Sequence, residues 1–257
     1  MSKKNILITG ATSGIGWSIA KALDYEGNQL ILCGRRKERL AQLAKELSVP
    51  SLTLTFDVSD QKTVFDSFAT IPKVFTPITV LINNAGNAHG LDSVQTALIE
   101  DWEAMIDSNL KGLLYVTKAL LPQMLTAPQG QIINLGSIAA KETYPKGSVY
   151  CSSKAAVDSF TEGLRMDLVG ENIRVGIIHP GMVETEFSLV RFKGDQNKAD
   201  QVYKGLKPLT PEDVAHAIAF MIQAPPHMNV ADMLLLPTQQ ASASIAHRGN
   251  NLSQTSK

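Results

Sequence analysis

Residues 136–154, GSIAAKETYPKGSVYCSSK, join a strand to a helix and decide how the whole chain is read. Just before them, the apolar run Gln131-Ile132-Ile133-Asn134-Leu135 predicts a buried strand, which puts the Ser137 hydroxyl at a strand's carboxyl end. Open α/β sheets bind their ligands at that end. Gly147-Ser148 reads as a stop followed by an N-cap, and predicts a helix over 148–169. Tyr150 and Lys154 then lie four residues apart on one helical face, so phenol and ammonium share a small space. A free tyrosine titrates near pH 10, too high for a proton shuttle at neutrality, and lowering it by about three units takes roughly 4 kcal/mol. The Lys154 charge and the positive end of the helix both act in that direction. An exposed helix face carries the same Tyr-x-x-x-Lys spacing by accident, so the pair takes its meaning from its company.

The chain has 257 residues, 44% of them hydrophobic, which suits one α/β domain spanning 1–257 with a sizeable core. Its 24 basic residues balance 24 acidic ones, so no global field draws it to nucleic acid or to an anionic membrane. The chain runs almost at once into an apolar strand at 5–9, leaving no room for a cleavable signal peptide. No apolar run approaches the roughly eighteen residues of a membrane span. Two cysteines, Cys33 and Cys151, lack metal-type spacing and fit a reducing compartment better than a disulfide framework. The expectation is a cytoplasmic protein with a small-molecule partner and no metal, nucleic acid or membrane.

Towards the amino terminus, the strand at 5–9 meets Gly10-Ala11-Thr12-Ser13-Gly14-Ile15-Gly16, then a helical pattern from Trp17 to Glu26. Glycines there allow a tight turn and let a diphosphate approach the helix N-terminus. The spacing is G-x-x-x-G-x-G, not G-x-G-x-x-G, so tight packing of the turn is the other reading. A second strand, 29–33, ends in Gly34-Arg35-Arg36-Lys37, where a dinucleotide fold reads the adenosine ribose. No acid lies between Gly27 and Lys37. Arg35 and Arg36 therefore point to a 2′-phosphate, and so to NADP, with a solvated basic helix start as the alternative.

A third strand at 52–56 leads to Asp57-Val58, where Asp57 either holds an adenine amino group or caps a helix beginning near Asp60. A fourth at 79–82 leads to Asn83-Asn84-Ala85-Gly86, small and amide residues suited to lie against a cofactor. Asn87 and His89 follow, within reach of a substrate or as plain loop residues. A long helix at 101–125 carries Asn109 on its apolar side, where an amide is costly unless something uses it. This helix and the one at 148–169 are apolar on more than one side, which predicts self-association. A sixth strand, 174–178, ends in His179-Pro180-Gly181-Met182-Val183-Glu184-Thr185. The charged segment 186–207 has no clean period and reads as a mobile lid. Thr210-Pro211 opens a helix to Gln223, a last strand spans 233–236, and a polar tail, 239–257, is expected to order against a partner subunit.

Taken together, Thr9-Gly10-Ala11-Thr12-Ser13-Gly14-Ile15-Gly16, Asn83-Asn84-Ala85-Gly86, Ser137, Tyr150 with Lys154, and Pro180-Gly181 closely resemble the motifs of the short-chain dehydrogenase/reductase family, in order and over essentially the whole chain. The resemblance implies a doubly wound, Rossmann-like seven-stranded parallel sheet with helices on both faces, and a homotetramer. It also implies roles. Tyr150 is the acid/base; Lys154 lowers its pKa and binds the nicotinamide ribose; Ser137 holds the substrate oxygen; Asn109 positions a water in the relay. Asn84, Val183 and Thr185 line the cofactor. The C-terminal half, notably Glu100-Asp101-Trp102 and residues 183–194, resembles the NADP-dependent 3-hydroxy acid dehydrogenases that act on serine and allo-threonine. Asn87-Ala88-His89 departs from the small apolar residues usual after the Asn-Asn-Ala-Gly motif.

These readings converge on reversible hydride transfer between NADP(H) and a 3-hydroxy acid. A reductase of a ketone, sugar or 3-oxoacyl thioester, and a silent nucleotide sensor, stand as alternatives. An acid substrate needs a cation, and Arg191, able to grip a carboxylate with two parallel hydrogen bonds, is preferred over Lys193. Its other reading is a salt bridge at a subunit contact.

Overall fold

The computed structural model describes residues 3–249; the end of the polar tail, 250–257, lies outside the described residues. Seven strands form one parallel sheet: β1 (Lys4–Thr9), β2 (Asn28–Gly34), β3 (Ser51–Thr55), β4 (Val80–Asn83), β5 (Gly130–Leu135), β6 (Ile173–Pro180) and β7 (Asp232–Leu235). Their order is β3-β2-β1-β4-β5-β6-β7, so the chain winds outward from β1, then returns to β1's other edge and winds the opposite way. The reversal opens a crevice between the carboxyl ends of β1 and β4.

Continuous apolar strands need cover on both faces, and successive side chains point opposite ways. Ile6 and Ile8 of β1 enter one core, with α1 (Gly14–Ala22), α2 (Lys37–Glu46) and α9 (Pro211–Gln223); Leu7 enters the other, with α3 (Gln61–Ala69), α5 (Gly112–Met124) and α6 (Ser148–Asp167). Fully burying one such side chain contributes about 1.5–3 kcal/mol. The α9 entry has the form its sequence predicts: Thr210 and Asp213 cap each other reciprocally, and Pro211 opens the first turn.

Two helix readings differ from the sequence. The helix expected at 101–125 is α4 (Ile99–Ile106), a π-helical turn (Asp107–Lys111) and α5, and Asn109 sits buried in the π turn. Gly147, not Ser148, takes the cap position of α6; Ser148 is already helical. The segment 186–207, read as a lid, forms α7 (Phe187–Arg191) and α8 (Gln196–Tyr203), the latter capped by Asp195. Elements of five and eight residues are too short to show a period. This segment is tied to the loop before α4, where Gly90 N–H donates to the Arg191 carbonyl (2.9 Å), and to α4 itself, where Asp101 pairs with Lys193 (2.9 Å).

The tail, expected to order against a partner, folds within its described part onto its own chain. Gln240 Oε1 accepts from Met182 N–H (2.8 Å), and Glu142 Oε2 from Ala243 N–H (3.0 Å).

Candidate active site

A cleft of about 530 Å³ opens at the carboxyl ends of the central strands. Most of the candidate catalytic, cofactor and substrate residues line it; Gly16, Asn83, Asn109, Arg191 and Lys193 do not. One wall is the turn after β1. Gly10 and Gly14 both take positive φ (67° and 49°), a conformation that side chains disfavour. Ser13 occupies the N-cap of α1 but makes no side-chain cap bond, so the first-turn N–H groups stay available to an anion. Asn84 ties this turn to β4, its Nδ2 donating to the carbonyls of Thr9 (2.9 Å) and Gly10 (3.2 Å). Gly16 serves packing instead: a Cβ there would strike the Gly10 carbonyl and stand 2.6 Å from Asn84 Nδ2.

At the mouth, the two arginines differ. Arg36 is already committed, donating to Thr12 Oγ1 and the Thr12 carbonyl (3.2 Å each) and pairing with Glu186 (3.0 Å). Arg35 is mostly exposed and, among the described residues, meets only the carboxylate of Asp57, at 3.3 Å. Asp57 is not a helix cap; Asp60 caps α3, accepting from Thr63 N–H at 3.1 Å. Burial raises the Asp57 pKa, but hydrogen bonds from Ser59 and the Arg35 charge outweigh it and hold the carboxyl below its ordinary range.

The opposite wall carries Ser137, Tyr150 and Lys154. Tyr150 and Lys154 are buried one turn apart on α6, and Lys154 Nζ donates to the Leu135 carbonyl (2.9 Å) where β5 ends. Burial, with Tyr144 adding to it, pushes the Tyr150 phenol up to about 12, while Arg191 and the Ser137 hydroxyl pull it down. Burial brings Lys154 down to about 8. The lowering of Tyr150 expected from the sequence is thus not produced by the protein's own groups, because desolvation outweighs every favourable charge.

Asn109 is buried behind this wall. Its Oδ1 accepts from Asn87 N–H (2.7 Å), and its Nδ2 donates to the Asn87 carbonyl (2.8 Å) and to Ser153 Oγ (3.0 Å). The amide thus clamps the loop after β4 onto α6. Asn83, Asn134, Thr117 and Thr161 form a second buried amide chain, with bonds of 2.8–3.0 Å joining β4 and β5 to α5 and α6.

Arg191 lies in a side niche beside Tyr150. Its guanidinium carbon is 5.0 Å from the Tyr150 ring centre and 5.1 Å from that of Phe187, and Nη2 donates to Tyr144 Oη at 2.7 Å. Its Nε is buried without a partner. Tyr144 and Phe187 were not singled out from the sequence. Their only signal was an aromatic on each side of the Tyr150 segment, which an ordinary core also supplies. Asn87 and His89 line the cleft, and burial lowers the pKa of His89.

Residues 4–195 match a family model described as short chain dehydrogenase. The chain is 45% identical over 250 residues to an NADP-dependent 3-hydroxy acid dehydrogenase of Schizosaccharomyces pombe, covering 95% of this chain and 96% of that protein. It is also 45% identical to sulfoacetaldehyde reductase 2 of Chromohalobacter salexigens, over 94% and 97% of the two chains. Among solved structures, the closed form of a serine dehydrogenase complexed with NADP+ superimposes with a TM-score of 0.90 at 42% identity, over 95% and 99% of the chains.

The packing of the glycine turn yields a stability test. Gly16→Ala drives a methyl into the Gly10 carbonyl, and overpacking of this kind costs about 1–3 kcal/mol. Urea denaturation is expected to show that loss; an unchanged midpoint means the turn relaxes freely.

Proposed function

The chain belongs to the short-chain dehydrogenase family, and we propose that it is an NADP-dependent oxidoreductase that moves a hydride reversibly between NADP(H) and the carbinol carbon of a small 3-hydroxy acid. One observation carries this reading. Ser137, Tyr150 and Lys154 face, across a single cleft, a glycine turn and an uncapped helix N-terminus. The full-length likeness to a 3-hydroxy acid dehydrogenase supports the substrate class.

Bound NADP(H) supplies or takes up the hydride, and its oxidised ring brings a positive charge to the site. The protein's residues do the rest. Arg35, the less committed arginine, meets the 2′-phosphate, and Arg36 braces the glycine turn against α7. The first turn of α1 takes the diphosphate. Ser137 donates to the substrate oxygen, and Tyr150 exchanges a proton with that same oxygen. A phenol held protonated by burial is suited to give its proton to a carbonyl. Lys154 holds the nicotinamide ribose and passes protons between Tyr150 and solvent, through a water held near the π turn that Asn109 anchors.

Arg191 holds the substrate's acid group. Hydroxy acids and sulfoacetaldehyde, named for two of the relatives, share an anionic group near the reacting carbon. A guanidinium stacked on the Tyr150 ring, with one N–H unpartnered, sits where that anion is wanted. The setting proposed is the cytoplasm, supported by two free, buried cysteines and by the lack of any described helix apolar and long enough to cross a membrane. The assembly proposed is a homotetramer. Half-buried Leu110, Leu114 and Phe160 on the helices, and exposed Phe220 on α9 and Leu234 on β7, offer apolar surface for it.

Three measurements test this reading. Tyr150→Phe keeps the ring but removes its proton, and is expected to abolish nearly all NADP-linked turnover of 3-hydroxy acids while NADPH still binds; turnover within tenfold of wild type removes Tyr150 from its role. Arg35→Ala deletes a charge-assisted contact worth about 1.5–3 kcal/mol. That corresponds to NADPH binding weakened by roughly 10- to 150-fold with NADH little changed; equal losses for both mark Arg35 as structural. Arg191→Ala is expected to raise KM for hydroxy acids and spare uncharged secondary alcohols, and parallel losses on both substrate types give Arg191 a packing role instead.

A further inference from the structure

The β5–β6 ladder ends with Leu135 paired to Ile178, and Gly136 N–H still reaches the Ile178 carbonyl (2.8 Å). The next residue, Ser137, is no longer paired with the backbone of β6, which runs on along β7 to Pro180. Its peptide meets the His179 side chain instead, with Nδ1 3.2 Å from Ser137 N and 3.0 Å from Ser137 O. The imidazole is fully buried and lies against Gly136, where any Cβ would collide with Nδ1. On its far side, Nε2 is buried without a hydrogen-bond partner among the described residues, 3.3 Å from Asp158 Oδ1 and 3.6 Å from Asp232 Oδ1. Lys141 Nζ joins the other oxygens of the same two carboxylates, at 2.9 and 2.6 Å.

We propose that His179 is a positioning residue for Ser137, held by Asp158 and Asp232 in the tautomer whose Nδ1 accepts the Ser137 N–H. The inference rests on the role given to Ser137 above.

The charges decide the tautomer. Asp158 from α6 and Asp232 from β7 face Nε2, and Lys141 cancels only one of their two charges. A proton on Nε2 therefore points at net negative charge, whereas a bare Nε2 lone pair would face two carboxylates. With the proton on Nε2, the Nδ1 lone pair is free for Ser137 N–H, so the side chain replaces the rung that the sheet no longer supplies. Two carboxylates and a buried imidazole would also suit a divalent cation, but the Lys141 ammonium already stands between the carboxylates. The result is a carboxylate–imidazole–peptide chain that ends at the backbone of the serine facing Tyr150.

Protonating Nδ1 undoes this. The imidazolium would donate to the Ser137 carbonyl and leave the buried N–H without an acceptor. Burial, together with Lys141, lowers the His179 pKa, against the opposing pull of the Ser137 peptide, Asp158 and Asp232. A lowered pKa means that the aligned state is fully present above the ordinary histidine value and is lost as pH falls through the folded one.

The test compares kcat, NADPH affinity by fluorescence titration, and the pH profile of kcat in Ser137→Ala, His179→Leu and His179→Asn. Ser137→Ala is expected to lose about 10²–10³-fold in kcat. His179→Leu keeps bulk but has no acceptor, and is expected to lose about ten- to a hundredfold in kcat while NADPH affinity stays within about twofold. His179→Asn places an amide oxygen near the Nδ1 position and does not titrate. It is expected to recover most of kcat and to flatten the acid limb of the profile. Wild-type kcat in His179→Leu, beside an impaired Ser137→Ala, overturns the inference alone. So does His179→Asn no better than His179→Leu when both still bind NADPH. Wild-type turnover in Ser137→Ala overturns the reading of Ser137, and this inference with it.

Discussion

The structure depends on burying a phenol and an ammonium side by side at the end of one strand. Taking a cation out of water is costly unless something receives it, and here the receiver is the Leu135 carbonyl, 2.9 Å from Lys154 Nζ. That carbonyl lies at the last residue of β5, where the strand stops and the ladder to β6 runs out. The strand has to end where the lysine arrives, and α6 has to start early enough to bring both side chains down together. Burial drives each member of the pair towards its neutral form, up to about 12 for the phenol and down to about 8 for the amine. Such a pair responds strongly to any charge that enters its dry surroundings, because little water is left to screen it.

The two walls of the cleft are built by different means. The nucleotide side is mostly backbone: glycines at positive φ, an uncapped helix, and an asparagine that ties a turn to a neighbouring strand. The catalytic side is side chains in fixed rotamers, held from behind by two buried amide clusters around Asn109 and Asn134. Buried amides with their partners supplied are rigid and specific, since breaking one bond strands another. The segment 186–207, the tail and the loop after β4 are fastened to this frame by a few hydrogen bonds and ion pairs each, such as Gln240 on Met182 and Glu142 on Ala243.

Most of the architecture was legible because it follows from period and punctuation. The strand positions, the α9 capping box and the glycine turn each have a local cause within a few residues. The misses had causes outside their own segment. The π turn leaves no mark on a helical period, since Asn109 looks like a misplaced amide until Asn87 and Ser153 are seen around it. Gly147 takes the cap in place of Ser148, with the Tyr144 ring packed where a Cβ would stand, a contact made outside the helix. The helices of 186–207 were too short to show a pattern. The contrast between Arg35 and Arg36 needed Thr12 and Glu186, which are distant in sequence. The expected lowering of the Tyr150 pKa failed for a similar reason. Spacing along a helix reveals which charges are near but not how much water has gone.

The π turn at Asp107–Lys111 also governs how the chain tolerates changes in length. It is one residue wider than an α-helical turn, and α5 follows it without a break. A helix advances about 100° per residue. Deleting a residue of the turn ahead of Asn109, and so restoring a plain helix, would shift the amide against α4 and leave Asn87 without its clamp. Because the wide turn takes up the extra residue, Val116, Leu120 and Met124 would keep the angle at which they fill the core. The extra residue works as a phase spacer, letting the amide clamp and the apolar stripe each keep their own angle on one rod. The apolar stripe would survive the loss of that residue, and the clamp on Asn87 would not.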